Sequence, residues 1–471
     1  MTRTLPRLPA WFARPEDSLQ CWAVGSVYAM AFFSPLSTSL GQLAHAFVLV
    51  VALVFFARHW QVLIRSPLIW LALFFIIYVI TRGSIAAIYE RPDLAAEQWD
   101  GVRTWHKTAI VPIILLGMGL AATGNWTRHS LGALFALLVA VGLNLLVNFS
   151  PDEFLAALQG PTRFEFDLGF RVSAITLPTA ILGVLVLSPY LLARLAEQSR
   201  FQGWGRLWLV MLGGLLSLAA MGMVAALLAT KSRNGWLTLL VALAVMVPLA
   251  LWYYRAQLLY FNRAAITSVL LLVMLIGGLL YYNWEVIEQR WRPVAATITQ
   301  VVALPFGGDV DSLKRDSVGV RVAYWAFGWE RFKERLWFGY GAADQRHLTD
   351  EYPIPHQLKN RGDTYHNSHL DILLRFGLAG YIPVLLVVVL ALHEARRNLV
   401  QGGAGRVLGL YVVGFTVALA FWAMNAQIMH RFDVSQLYSI IIGTMCAGQF
   451  ARLLSSGSGA NEINYVKGHH S

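Results

Sequence analysis

A helix needs roughly 20 apolar residues to cross the hydrocarbon core of a bilayer. This chain offers that length repeatedly. Apolar runs occur near 19–36, 40–57, 67–81, 108–123, 130–148, 172–193, 207–230, 235–254, 265–282, 377–394, 406–425 and 435–453. Backbone amides and carbonyls in lipid must find partners within the spanning structure, and short isolated runs can do so only as helices. The runs therefore predict an all-α integral membrane protein of about 12 transmembrane helices. Composition agrees, since 57% of the 471 residues are hydrophobic and 13% are charged, about half the charged share of a soluble domain.

An even number of spans puts both termini on one side. Arg3, Arg7 and Arg14 precede the first run, and the positive-inside rule assigns that side to the cytoplasm. The short loops expected on the same side carry Arg58, Arg65, Arg194, Arg200, Arg255, Arg263, Arg396 and Arg397. The chain then divides into a bundle of about nine spans (1–282), one large extracytoplasmic loop (283–376), about three further spans (377–454) and a flexible cytoplasmic tail (455–471). No cleavable signal peptide is visible, because the polar N-terminus leads straight into the first span. Cys21 and Cys446 sit in apolar runs and read as small core residues.

The formal charge of +11 is large for so few ionisable groups. Nucleic acid is excluded as a partner because no soluble basic domain exists to hold it. Anionic lipid headgroups and phosphates remain. Basic residues also fall on the side where the positive-inside rule disfavours them, among them Arg82, Arg103, Lys107, Arg163, Arg171, Lys231 and Arg233. Most read as ordinary solvated charges. Those at span ends lie at the depth of a lipid diphosphate.

Three constellations carry potential chemistry. Lys231-Ser232-Arg233-Asn234-Gly235 forms a tight re-entry turn between two apolar runs. Its cations read equally as interfacial snorkelling residues or as phosphate ligands, for which the planar arginine fork is suited. In the large loop, Val318, Val322, Trp325, Trp329, Phe332 and Leu336 recur at helical spacing, predicting an amphipathic helix with Arg321 beside its apolar face. After a Gly339-Tyr340-Gly341-Ala342 turn comes His366-Asn367, followed nine residues later by Gly377-Leu378-Ala379-Gly380. Histidine is the side chain most readily poised for proton transfer near neutral pH. His369 competes with His366 for that role, and Asp371 and Arg375 are spaced to pair. Asp309-Val310-Asp311 resembles a metal-binding acidic pair, but such spacing is common in loops. His356, His366 and His369 are too irregularly spaced for a zinc site, so neither a metal nor another cofactor is expected.

Taken in order, these motifs resemble the O-antigen ligase and polymerase superfamily. They are Ser232-Arg233-Asn234-Gly235 at a span start, Arg321 with Trp325 on a loop helix, Gly339-Tyr340-Gly341, and His366-Asn367 with Gly377 and Gly380 entering the next span. The motif-bearing part runs from about Thr230 to Tyr381; elsewhere only hydropathy and span count agree. The resemblance implies a GT-C-like fold with one large periplasmic loop in the inner membrane of a Gram-negative bacterium. It implies a metal-independent glycosyltransferase that moves a polysaccharide from undecaprenyl diphosphate to the lipid A–core oligosaccharide, with both lipid substrates and the surrounding membrane lipids as partners. It further implies His366 as general base and Arg233 and Arg321 as diphosphate ligands. Lys231 and Arg82 are added to the diphosphate site, with His369, Asn367 and Arg103 in support, on charge and position. An O-antigen polymerase or an O-linked oligosaccharyltransferase would use the same donor. A lipid-linked sugar flippase is a more distant alternative, because carriers usually bury ionisable groups in mid-span. The short C-terminus and the single dominant loop favour the ligase.

Overall fold

The computed structural model describes residues 18–160, 164, 173–198, 204–258, 277–278, 281, 284–304, 309–343, 345–358 and 365–467. All regular structure among them is helical. The helices are α1 (Ser18–Phe33), α2 (Thr38–Leu63), α3 (Pro67–Ile85), α4 (Ala95–Lys107), α5 (Val111–Ala121), α6 (Trp126–Val147), α7 (Pro151–Gln159) and α8 (Ser173–Gln198). They continue with α9 (Trp204–Ala229), α10 (Arg233–Leu258), α11 (Trp284–Ala303), α12 (Gly319–Glu334), α13 (Ser368–Gln401), α14 (Gly403–Ala423) and α15 (Phe432–Lys467).

Ten helices among the described residues are long and apolar enough to cross a membrane, which makes this a multi-pass membrane protein. Two of the 12 expected runs account for the difference. The first forms α1, which at 16 residues is short for a span. The run at 265–282 lies almost wholly outside the described residues, as do Arg3, Arg7, Arg14, Arg163 and Arg171. Helix starts follow local chemistry. The Ser37 and Ser66 hydroxyls accept backbone N–H groups at the heads of α2 and α3, and Pro67 occupies the first turn of α3, where no N–H is needed.

The bundle core is built around α5, nearly all of which is buried, packed against α15 and α2. The outer faces carry exposed Phe47, Leu53, Trp70, Phe74 and Ile77. A soluble protein does not present apolar surface on this scale; in a bilayer it is the lipid-facing belt. Cys446 is buried as expected, but Cys21 is exposed, because it falls on the outward side of α1.

The large loop has its own small core, in which Val320, Ala323, Tyr324 and Phe327 of α12 meet Tyr365, Leu370 and Leu374. The buried face of α12 is therefore rotated from the one its aromatic spacing suggests. Trp329 and Leu336 are exposed, and the helix ends before Leu336. The inward face is set by Gly328, where an added Cβ would lie 2.7 Å from Leu370 and 3.0 Å from Tyr365. Close approach at a glycine outweighs the wider aromatic stripe.

Helix α13 is interrupted at Gly377 (φ 61°, ψ −163°), a conformation essentially confined to glycine. The interruption frees backbone groups on both sides, and the segment 336–341 takes them up. Tyr340 N–H donates to Leu374 O (2.7 Å) and Gly341 N–H to Arg375 O (2.9 Å). In return Leu378 N–H donates to Leu336 O (2.9 Å) and Ala379 N–H to Trp337 O (3.1 Å). Buried peptide groups are rarely left unpaired, and here a loop segment completes a broken helix.

Gly377→Ala is expected to abolish most folded protein. Beyond a backbone cost on the order of 1–3 kcal/mol, the new Cβ would sit 2.3 Å from the carbonyl of Trp337. Size-exclusion profiles and melting temperatures in detergent would show it, and a monodisperse variant of wild-type stability would contradict it.

Candidate functional site

The break in α13 separates a short histidine-bearing half, 368–376, from the long apolar half. His366 lies just ahead of it at φ +49°, a left-handed conformation that few side chains adopt. Both neighbours are fixed. Tyr365 is buried against Tyr324 and Phe327, its carbonyl accepts from Trp325 Nε1 (3.2 Å), and its hydroxyl donates to Gln345 O (3.2 Å). Asn367 caps α13, its Oδ1 accepting from the N–H groups of His369 (3.0 Å) and Leu370 (3.1 Å). Asn367 thus supports the site by holding the helix start.

His369 is held at both ring nitrogens. His369 Nε2 faces Ala420 O at 3.2 Å, and its Nδ1 faces the Tyr381 hydroxyl at 3.0 Å. A carbonyl only accepts, so Nε2 carries the proton and Nδ1 accepts from Tyr381. Both ring nitrogens of His369 are engaged, Nε2 with Ala420 of α14 and Nδ1 with Tyr381 beyond the break in α13 itself. His366 is half-buried at the turn itself.

Arg233 and Arg321 come from α10 and α12 and lie near one another. Arg233 donates to the Ser317 hydroxyl at 2.7 Å. Burial, and after it the positive charge of Arg233, lowers the pKa of the Arg321 guanidinium. Arginine stays protonated in proteins, so two like charges are held together at a partly desolvated place, an arrangement suited to an anion with more than one charge. Asp316 lies in the same turn. Burial raises its pKa, but the Thr297 hydroxyl, the N–H groups of Gly319 and Val318 and the charge of Arg233 outweigh that and leave it below the ordinary carboxylate value.

Lys231 also has positive φ, +49°. It is buried, and its ammonium donates to Gly160 O, tying the α9–α10 turn to the end of α7. Arg82, expected beside the diphosphate, is consumed elsewhere. It forms a bidentate pair with Glu90 (3.1 and 2.7 Å) and donates to the carbonyls of Phe338 and Gly339, both at 2.9 Å. Arg335 shares the same Glu90 carboxylate. Arg82 is therefore a pin between α3 and the inserted loop segment. Arg375 is another, since it pairs with Asp371 at 2.9 Å, as their spacing predicts, and donates to Ala342 O at 2.6 Å. Arg103 and Lys107 are exposed on α4. Asp309 Oδ1 accepts from Asp311 N–H, so that acidic pair closes a turn. Among the described residues no three His, Cys, Asp or Glu side chains converge as a metal site.

Sequence reasoning missed Ser317 and Ser368. The first orients Arg233. The second accepts from Ile428 N–H (2.7 Å) and donates to Ala426 O (2.8 Å), binding the α14–α15 connection to the histidine turn. Serine is too common for spacing to have singled out either.

Comparison with known proteins bears on the same stretch. Residues 218–385 match the family model of the O-antigen ligases, a match that takes in Arg233, Arg321, His366 and both glycines of the broken helix. Residues 218–385 of the chain are thus similar to the O-antigen ligase family, consistent with membership in the O-antigen ligase and polymerase superfamily. No curated protein matches the chain.

Two outcomes follow from this geometry. Arg82→Met is expected to lower stability by about 1–3 kcal/mol, the cost of leaving the buried carbonyl of Gly339 without its donor, and to leave the KM for a lipid diphosphate unchanged in whatever protein folds. A raised donor KM at wild-type melting temperature would return Arg82 to the phosphate site. Asp316 contributes stability above its unfolded pKa that is lost as pH falls through its lower folded value. Asp316→Ala should therefore cost about 1 kcal/mol near neutral pH, as for a lost cap, and should melt like wild type once the pH is well below 3.8. Melting curves across pH would check this.

Proposed function

We propose that this enzyme transfers an O-antigen polysaccharide from undecaprenyl diphosphate to the lipid A–core oligosaccharide at the periplasmic face of the bacterial inner membrane. The observation that carries the reading is the pairing of Arg233 with Arg321 from separate elements, on the same loop-bearing part of the protein as His366. Arg321 and His366 share a scaffold, because α12 packs on the histidine half of α13 and Trp325 holds Tyr365.

The donor presents an anomeric carbon bonded to a diphosphate oxygen. The acceptor hydroxyl oxygen attacks that carbon as its bond to the diphosphate breaks. His366 takes the hydroxyl proton, and the departing undecaprenyl diphosphate keeps the bonding electron pair. Charge grows on the leaving oxygens in the transition state, where fixed guanidiniums are most effective. Arg233 and Arg321 fill that role, and Lys231 sets the turn that presents Arg233. In-line displacement inverts the anomeric centre and needs no metal. The arrangement fits a GT-C-like bundle of about 12 spans with both termini cytoplasmic and 283–376 as its periplasmic loop.

Purified protein in detergent, given undecaprenyl-diphosphate glycan and lipid A–core with EDTA present, should form ligated product. His366→Ala should lose about 10²–10⁴-fold in rate, the range for a lost general base, whereas His369→Gln should act mainly on stability. Wild type that lengthens the donor glycan or modifies a protein would move the reading to a polymerase or an oligosaccharyltransferase. An active His366→Ala variant would remove the base.

A further inference from the structure

The connection between α14 and α15 runs past the histidine turn and carries a side chain that nothing so far uses. Ser368, two residues after His366, makes its hydroxyl bonds to this connection, donating to Ala426 O and accepting from the N–H groups of Ile428 and Met429. Its own N–H donates to Ala426 O at 3.1 Å. Gln427 lies between these two anchored residues, so its backbone is fixed against Ser368, two residues along the chain from His366. The residue is half-buried, yet both atoms of its amide are shielded from solvent and neither has a hydrogen-bond partner in the protein. Among the described residues, Gln427 is the single residue with two such orphaned side-chain atoms.

Leaving a buried donor and acceptor unsatisfied is costly, whereas an apolar group of the same shape would be tolerated or preferred. A ligand that enters beside it can satisfy such an amide. It presents one acceptor and one two-hydrogen donor side by side, which matches vicinal hydroxyls on a sugar ring. The anchoring decides which sugar. The 426–428 segment is tied to the histidine helix, whereas Arg233 and Arg321 stand on α10 and α12. A group beside the base faces the nucleophile.

We propose that Gln427 is a binding residue for the acceptor glycan, its amide engaging hydroxyls next to the one that His366 deprotonates. This rests on the ligase reading above and adds the residue that orients the acceptor.

The test is Gln427→Leu, with Gln427→Glu as a second variant that keeps the acceptor oxygens and loses the donor. KM is measured separately for lipid A–core and for undecaprenyl-diphosphate glycan, alongside the melting temperature without substrates. The expected result for Gln427→Leu is an acceptor KM raised at least tenfold, an unchanged donor KM, and a melting temperature equal to or above wild type. Gln427→Glu should fall between Leu and wild type in acceptor KM. An unchanged acceptor KM overturns the proposal, as does a rise in donor KM alone. A lower melting temperature with both KM values unchanged assigns the amide a structural role instead. If wild type uses a different acceptor, the ligase reading fails by itself, and the same KM criterion applied to that acceptor decides the role of Gln427.

Discussion

The backbone exchange across the interruption in α13 holds the site together. A helix break in a buried place leaves N–H and C=O groups that must be paired or carry a penalty of several kcal/mol. Here Leu374 and Arg375 give up their carbonyls to Tyr340 and Gly341, and Leu336 and Trp337 return theirs to Leu378 and Ala379. Because the exchange is reciprocal, neither the loop segment nor the break is satisfied without the other. The positive φ values of Gly339, Gly341 and Gly377 follow from this contact. So does the position of His366, which precedes the short half-helix that the break creates.

Around that exchange the cations divide into two kinds. Arg82, Arg375 and Arg335 each pair with a carboxylate, and the first two also donate to carbonyls of the inserted loop segment. They neutralise acids and fasten the loop. Arg233 and Arg321 approach each other from separate elements, Arg233 held by the Ser317 hydroxyl with its charge also acting on Asp316, and Arg321 buried on α12.

Much of this is legible in the sequence, and what is not has physical reasons. Hydropathy reveals the helices because lipid leaves the backbone no alternative. The histidine motif is readable because its glycines answer to one backbone conformation and one close contact. The fate of Arg82 is hidden, since its partners Phe338 and Gly339 lie more than 250 residues away and contribute only carbonyls, which every residue has. The inward face of α12 is hidden as well. Trp325 and Trp329 dominate its hydrophobic pattern, but packing is decided by the missing side chain of Gly328. His366 and His369 look alike in a sequence, and only the fold brings Tyr381, beyond the break in α13, and Ala420 of α14 to the His369 ring.

The interruption at Gly377 leaves the first turns of α13 facing two ways. Leu370 and Leu374 share a core with α12, while Ile372 and Phe376 belong to the core of the bundle. The short half-helix is therefore a common wall of both. In the proposed reaction Arg321 on α12 and Arg233 at the head of α10 would grip the diphosphate from separate elements, so the bound lipid carrier would bridge them as this wall does, and its departure would remove that bridge.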